Sequence, residues 1–175
     1  MDGLPLMLAR RSIRRYTVAD VSLDDEQRLI DAAFAAPSAD NARPWHFVVV
    51  RDAALRVELS QAHRYAAMLK RAPLVIGVLG QAGAQYWVED CAAATENILL
   101  EATALGLGSV WVGIWENGPQ ACAAEMRCLD VLGTTTDKWR CLALVGIGHP
   151  AERKQPRTQR QVSKLSYERV GRRRR

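Results

Sequence analysis

Arg10, Arg11, Ser12, Arg14 and Arg15 place four guanidiniums and a hydroxyl within six residues, directly after a short apolar segment. A guanidinium offers planar, bidentate hydrogen bonds to phosphate, and each such charge-assisted contact contributes on the order of 1.5–3 kcal/mol when partly desolvated. In outline this is an anion clamp, although a solvated basic turn would have the same composition. A second segment, Pro37-Ser38-Ala39-Asp40-Asn41-Ala42-Arg43-Pro44-Trp45, brackets short hydrogen-bonding side chains between two prolines. A loop restrained in this way can address the edge of a flat heteroaromatic ring with Ser38 and Asn41, while Trp45 walls the pocket. A third segment, Gly106 to Gly113, sets glycines on both sides of an apolar strand, where backbone N–H groups can approach a ligand closely.

What is missing narrows the chemistry. The Gly106–Gly113 segment lacks the GxGxxG order of a dinucleotide fold and the Lys-Ser/Thr of a P-loop. There is no GxSxG, HExxH or EF-hand pattern, and His46, His63 and His149 are scattered. Cys91, Cys122, Cys128 and Cys141 form no CxxC pair, so they read as small buried hydrophobes rather than a metal or redox site. Without an evident acid, base or nucleophile, an enzyme built on this chain would take its chemistry from a cofactor.

The elements that must position these residues are legible from periodicity and punctuation. Ser22 caps a helix whose first turn carries Asp24, Asp25 and Glu26 and whose apolar stripe is Leu29, Ile30, Ala33 and Phe34, ending at Pro37. His46–Arg51 reads as a buried strand, Ala53 to about Lys70 as a helix, and Pro73–Gly80 as a strand covered on both faces. Val88–Leu105 is a helix apolar nearly all round, stopped by Gly106, and burial on so many sides is easier in a dimer. Strands at Ser109–Trp115 and Arg140–Gly148, with a shorter helix near Gln120–Leu132, complete an alternation that predicts helices packed against a central sheet, α/β or α+β.

The 175 residues, 49% hydrophobic and 25% charged, suit one globular domain. The longest apolar runs fall short of the roughly 18–20 residues that cross a bilayer, and the amino terminus has no signal-peptide pattern, so a cytoplasmic protein with no membrane contact is expected. Residues 151–175 carry ten basic and two acidic side chains, whereas residues 1–150 carry fourteen and seventeen. The net charge of +5 therefore comes from a carboxy-terminal arm, expected to lie over a neighbour, and not from a DNA-reading face. Only the terminal run Arg172–Arg175 speaks for nucleic acid.

In this order the segments resemble the nitroreductase family of flavoproteins. Arg10-Arg11-Ser12-Ile13-Arg14 is similar to its flavin-phosphate motif, and Pro37-Ser38 through Asn41 to Pro44-Trp45 to its PSxxNxQPW loop. The helix running into Gly106-Leu107-Gly108-Ser109-Val110-Trp111 resembles its central helix and following strand, and Gly146-Ile147-Gly148-His149-Pro150 its GxGxP strand end. The resemblance implies an α+β three-layer sandwich with a mostly antiparallel sheet, residues 1–150 forming the FMN-binding part and 151–175 a basic arm of the same domain. It implies a homodimer with that arm swapped. Arg10, Ser12 and Arg14 would hold the phosphate and pyrimidine edge of FMN, and Arg11 would act through its backbone. Pro37, Ser38 and Asn41 would come from the other subunit, and Trp111, Val112 and Gly113 would pass near the ring. Arg160, with Arg157 as second choice, would be the arm's phosphate ligand. The implied activity is ping-pong transfer of electrons from NADH or NADPH through flavin N5 to a small oxidant such as a nitroaromatic, quinone or enone, with no side-chain acid or base. A reductive dehalogenase, a flavin-modifying enzyme, or a non-catalytic flavin-sensing or nucleic-acid-associated dimer are the competing readings. Two departures stand out: Arg43 replaces the usual Gln, and only 24 residues separate Trp115 from Arg140, which leaves no large lid.

Overall fold

A computed structural model describes residues 3–116, 122–158 and 162–172. Its elements are α1 (Leu4–Ala9), α2 (Leu23–Phe34), β1 (Trp45–Val50), α3 (Ala53–Ala62), β2 (Leu74–Gln81), α4 (Trp87–Ala104), β3 (Gly108–Gly113), α5 (Ala123–Val131) and β4 (Trp139–Gly148), with short 3-10 turns at Ala39–Asn41, Ala67–Arg71 and Val162–Lys164.

The strands form one antiparallel sheet in the order β1-β2-β4-β3, with Ile76 of β2 opposite Val49 of β1 and Val145 of β4. Every β2 residue but Gln81 is buried, which is why PLVIGVLG shows no polar alternation. On one face Leu74, Ile76 and Val78 pack under α2 and α4; on the other Val75 and Leu79 pack with Leu59, Leu69, Cys128 and Leu129. The result is an α+β three-layer sandwich.

Local chemistry explains most boundaries. The Ser22 hydroxyl accepts the Asp25 amide at 3.0 Å and starts α2. Gly106, at φ 73°, ends the chain's longest helix, as expected of a residue beyond a helix C-cap. Cys122 is structural: its Sγ accepts the Glu125 amide at 3.4 Å and caps α5.

One expectation is corrected. The helix predicted from Ala53 to Lys70 stops at Ala62, because His63 is extended (φ −141°, ψ 144°), and a separate 3-10 turn covers Ala67–Arg71. The break turns Ala66, Leu69 and Ala72 into the core, with Leu69 Cδ2 2.8 Å from where a Cβ on Gly146 would stand. Tertiary packing overrides helix propensity here. α1, read from sequence only as an apolar segment, is a helix with Pro5 in its first turn.

Candidate functional site

β3 is an edge strand, and the Arg10–Tyr16 segment lies along its free side. The Ile13 amide donates to the Ser109 carbonyl at 2.8 Å, and Ser12 pairs with Ser109 in a parallel bridge. Ile13 is buried so tightly on Gly108 that a Cβ there would lie 2.6 Å from Ile13 Cγ2, which explains a glycine at the start of this strand. The Tyr16 hydroxyl lies 2.8 Å from the Ile13 carbonyl and 3.0 Å from the Gly146 carbonyl, sharing its one proton between them, and burial pushes its pKa upward. The segment is thereby fastened to β3 and β4 together.

An extended segment sends alternate side chains to opposite sides. Arg14 lines one cavity, while Arg11 and Ile13 line a smaller one. Arg10 is 3.4 Å from Glu96 on α4, and the Arg11 guanidinium donates to the Gln155 carbonyl. The arm docks antiparallel to this segment within the same chain. Ala151 N–H donates to Arg15 O at 2.8 Å, Arg14 N–H to Glu152 Oε1 at 2.6 Å, Lys154 Nζ to Ser12 O at 2.5 Å, and Arg157 N–H to Leu8 O at 2.9 Å. Arg157 is thus brought beside α1. Arg160 lies outside the described residues, as do Arg173–Arg175, and Arg172 pairs with Glu168 at 2.6 Å.

The Arg14 cavity, about 420 Å³, is bounded by β3 from Val110 to Gly113 and by the turn from His63 to Met68. That volume falls in the range of small-molecule sites, roughly 300–1,000 Å³. The Ser109 carbonyl faces outward to Ile13, so strand alternation also turns the N–H and C=O groups of Trp111 and Gly113 away from β4. No aspartate or glutamate lines the cavity among the described residues. A guanidinium at one wall and a row of outward-facing backbone donors and acceptors suit an anionic ligand with a flat, hydrogen-bonding ring system.

Pro37, Ser38 and Asn41 are not brought to this cavity in their own chain. Their loop sits over the start of α4, where the buried Asp90 carboxylate accepts the Ala39 amide at 2.9 Å. The loop is wired internally: Ser38 Oγ accepts the Arg43 amide at 3.0 Å, and Arg43 Nε donates to Asn41 Oδ1 at 2.9 Å. Asp40, Asn41 and Arg43 all have positive φ, near 50°. Strain shared by three non-glycine residues in one loop is a recurrent feature of ligand clamps.

A family model described as the nitroreductase family matches residues 7–67 and 60–149, nearly the whole of the folded body. The chain belongs to the nitroreductase family. A protein of Archaeoglobus fulgidus assigned as an NADH dehydrogenase/NAD(P)H nitroreductase is 38% identical over 158 residues, covering 87% of this chain and 88% of its own. A crystal structure with the same assignment from Bacteroides thetaiotaomicron superposes with a TM-score of 0.90 at 31% identity, covering 96% of this chain and 98% of its own. A nitroreductase assignment from Desulfovibrio desulfuricans, solved in complex with FMN, superposes with a TM-score of 0.81 at 28% identity, covering 95% and 96%.

Within this nitroreductase-family chain, Arg14, Trp111, Val112 and Gly113 share one cavity, and Ser12 is fixed beside it. Sequence reasoning missed His63, Arg64, Tyr65 and Met68, which complete the lining. They were hidden inside a predicted helix; the available signal was the basic–aromatic cluster His63-Arg64-Tyr65.

Proposed function

We propose that this protein is an FMN-dependent oxidoreductase that passes electrons from NAD(P)H to a small oxidant, a nitroaromatic, quinone or enone, by ping-pong turnover. The observation that carries this reading is the convergence of Arg14 with the outward-facing backbone groups of Trp111 and Gly113 on one cavity with no acidic lining among the described residues, in a nitroreductase fold. Bound there, FMN would supply two-electron redox chemistry between the nicotinamide and the oxidant.

The chain's own residues bind, orient and polarise. Arg14, with Arg10 and Ser12 beside it and Arg157 arriving from the arm, supplies charge for the phosphate. The backbone N–H groups of Trp111 and Gly113 offer donors to the ring edge, where negative charge develops on reduction. Val110, Val112 and Met68 keep water from part of the cavity. The working form is a homodimer in which Pro37, Ser38 and Asn41 of the partner subunit complete each site. The exposure of Met7 (57%) and Phe34 (58%) supports apolar contacts with that partner.

The test is an absorbance spectrum of the purified protein, with release and identification of its chromophore. FMN near one per chain, bleached anaerobically by NADH or NADPH and restored by an oxidant, is the expected result. A colourless protein that cannot be reconstituted with FMN overturns the reading.

A further inference from the structure

The turn His63–Arg64–Tyr65 at the rim of the cavity has no assigned task. The Arg64 guanidinium lies 4.7 Å from the centroid of the Tyr65 ring, and the His63 and Tyr65 rings are 5.3 Å apart at 60°. Tyr65 is 62% exposed, although phenol rings of this kind usually pack at least one face into the protein. No carboxylate of the described residues stands within ion-pair distance of Arg64, whereas Arg10, Arg28, Arg51 and Arg140 each have one. A guanidinium laid on an aromatic face keeps its N–H edge free for a planar, bidentate oxyanion. Arg14, from a different segment, is the guanidinium that faces the cofactor phosphate in the reading above, so Arg64 is a second cation on the same acid-free cavity.

We infer that His63, Arg64 and Tyr65 form a recognition lip for an oxyanion carried beside a flat ring, and that the lip selects the anionic member of a substrate pair. Two sources present that chemistry: the 2′-phosphate next to adenine in NADPH, and a carboxylate on an aromatic oxidant. The inference rests on the cavity being the flavin site. In either case Arg64 holds the oxyanion in its N–H fork, and Tyr65 with His63 offers ring faces for stacking. Lysine at position 64 would keep the charge but lose the fork and most of the stacking.

The experiment compares wild type, Arg64→Ala and Arg64→Lys, each normalised to FMN content. One arm measures kcat/KM for NADPH against NADH with a neutral quinone. The other measures kcat/KM for 4-nitrobenzoate against nitrobenzene with a fixed donor. A fall of about tenfold in the donor ratio for Arg64→Ala, with Arg64→Lys between, assigns the lip to the 2′-phosphate. The same fall in the acceptor ratio assigns it to the aryl carboxylate. Neither ratio moving overturns the inference. Calorimetric titration with 2′,5′-ADP and with 4-nitrobenzoate gives a readout independent of turnover. A colourless protein that still binds one of them through Arg64 overturns the flavin reading and keeps the lip; a yellow, active protein with unmoved ratios and titrations does the reverse.

Discussion

The Arg14 amide donates to Oε1 of Glu152 at 2.6 Å, so the same residue that lines the cavity is held by the arm. The bond joins positions 138 residues apart and makes the placement of the proposed phosphate ligand depend on the chain beyond the last strand.

Acid should release that hold. The Arg14 amide, followed by burial acting the other way and the Lys154 charge, leaves the Glu152 carboxyl below its ordinary value of 4.5. A carboxyl with a depressed folded pKa stabilises the fold fully above its unfolded value and loses that contribution as pH falls through the folded value. Limited proteolysis of residues 151–158 is therefore expected to accelerate in wild type as the pH falls below the ordinary carboxyl value of 4.5, and to be fast at neutral pH in Glu152→Gln. A cleavage rate indifferent to both changes would separate the arm from Glu152.

Arg14→Ala removes the guanidinium from the cavity and leaves the backbone bond to Glu152 in place. FMN affinity, measured by quenching of flavin fluorescence, should weaken about 10- to 100-fold with little change in Tm. Unaltered affinity would place the phosphate elsewhere.

Gly108→Ala tests the seat of the amino-terminal segment. The new methyl would meet Ile13 Cγ2 at 2.6 Å and Ile13 Cβ at 2.8 Å, neither at the end of a long flexible chain. Overpacking of this kind costs about 1–3 kcal/mol. Denaturant unfolding should show that loss, and FMN affinity should fall with it because Ser12 and Arg14 flank the displaced residue.

A buried ion pair joins α5 to the sheet. Glu125, with no solvent exposure, accepts from Arg140 Nε at 2.8 Å, from the second guanidinium nitrogen at 3.0 Å and from the Cys141 amide at 2.9 Å. Arg140 also lies over the Trp87 ring at 5.7 Å. Glu125→Ala strands that guanidinium and the amide, so chemical denaturation should report a loss of about 3–5 kcal/mol. A loss under 1 kcal/mol would mean that water reaches the pair.

Thiol reactivity should be uneven. Burial, then the neighbouring Asp90, pushes the Cys91 thiol up to about 12, and a hydrogen bond with Cys128, then burial, raises Cys141. Since the thiolate is the nucleophile, iodoacetamide at pH 8 should label Cys122 in the native protein and reach the buried three only after unfolding. Mass spectrometry of the native adduct would expose any error.

What the amino-acid sequence determined by itself was set by neighbours in the chain. The Ser22 cap, the Gly106 stop, the uninterrupted apolar run of β2 and the arginine-rich segment with its family resemblance all depend on residues a few positions apart, where propensity and hydrogen bonding act without the rest of the fold. The tertiary structure alone decided the break at His63, because Leu69 and Ala66 gain core burial that no local pattern encodes. It also decided which arginine faces the cavity. The alternation of Arg11 and Arg14 has a direction only once Ile13 is seated on Gly108, and that contact spans 95 residues. The arm's pairing with residues 8–15, and the Arg64 lip exposed by the helix break, follow from the same cause: their geometry is fixed by surfaces that exist only after the sheet has assembled.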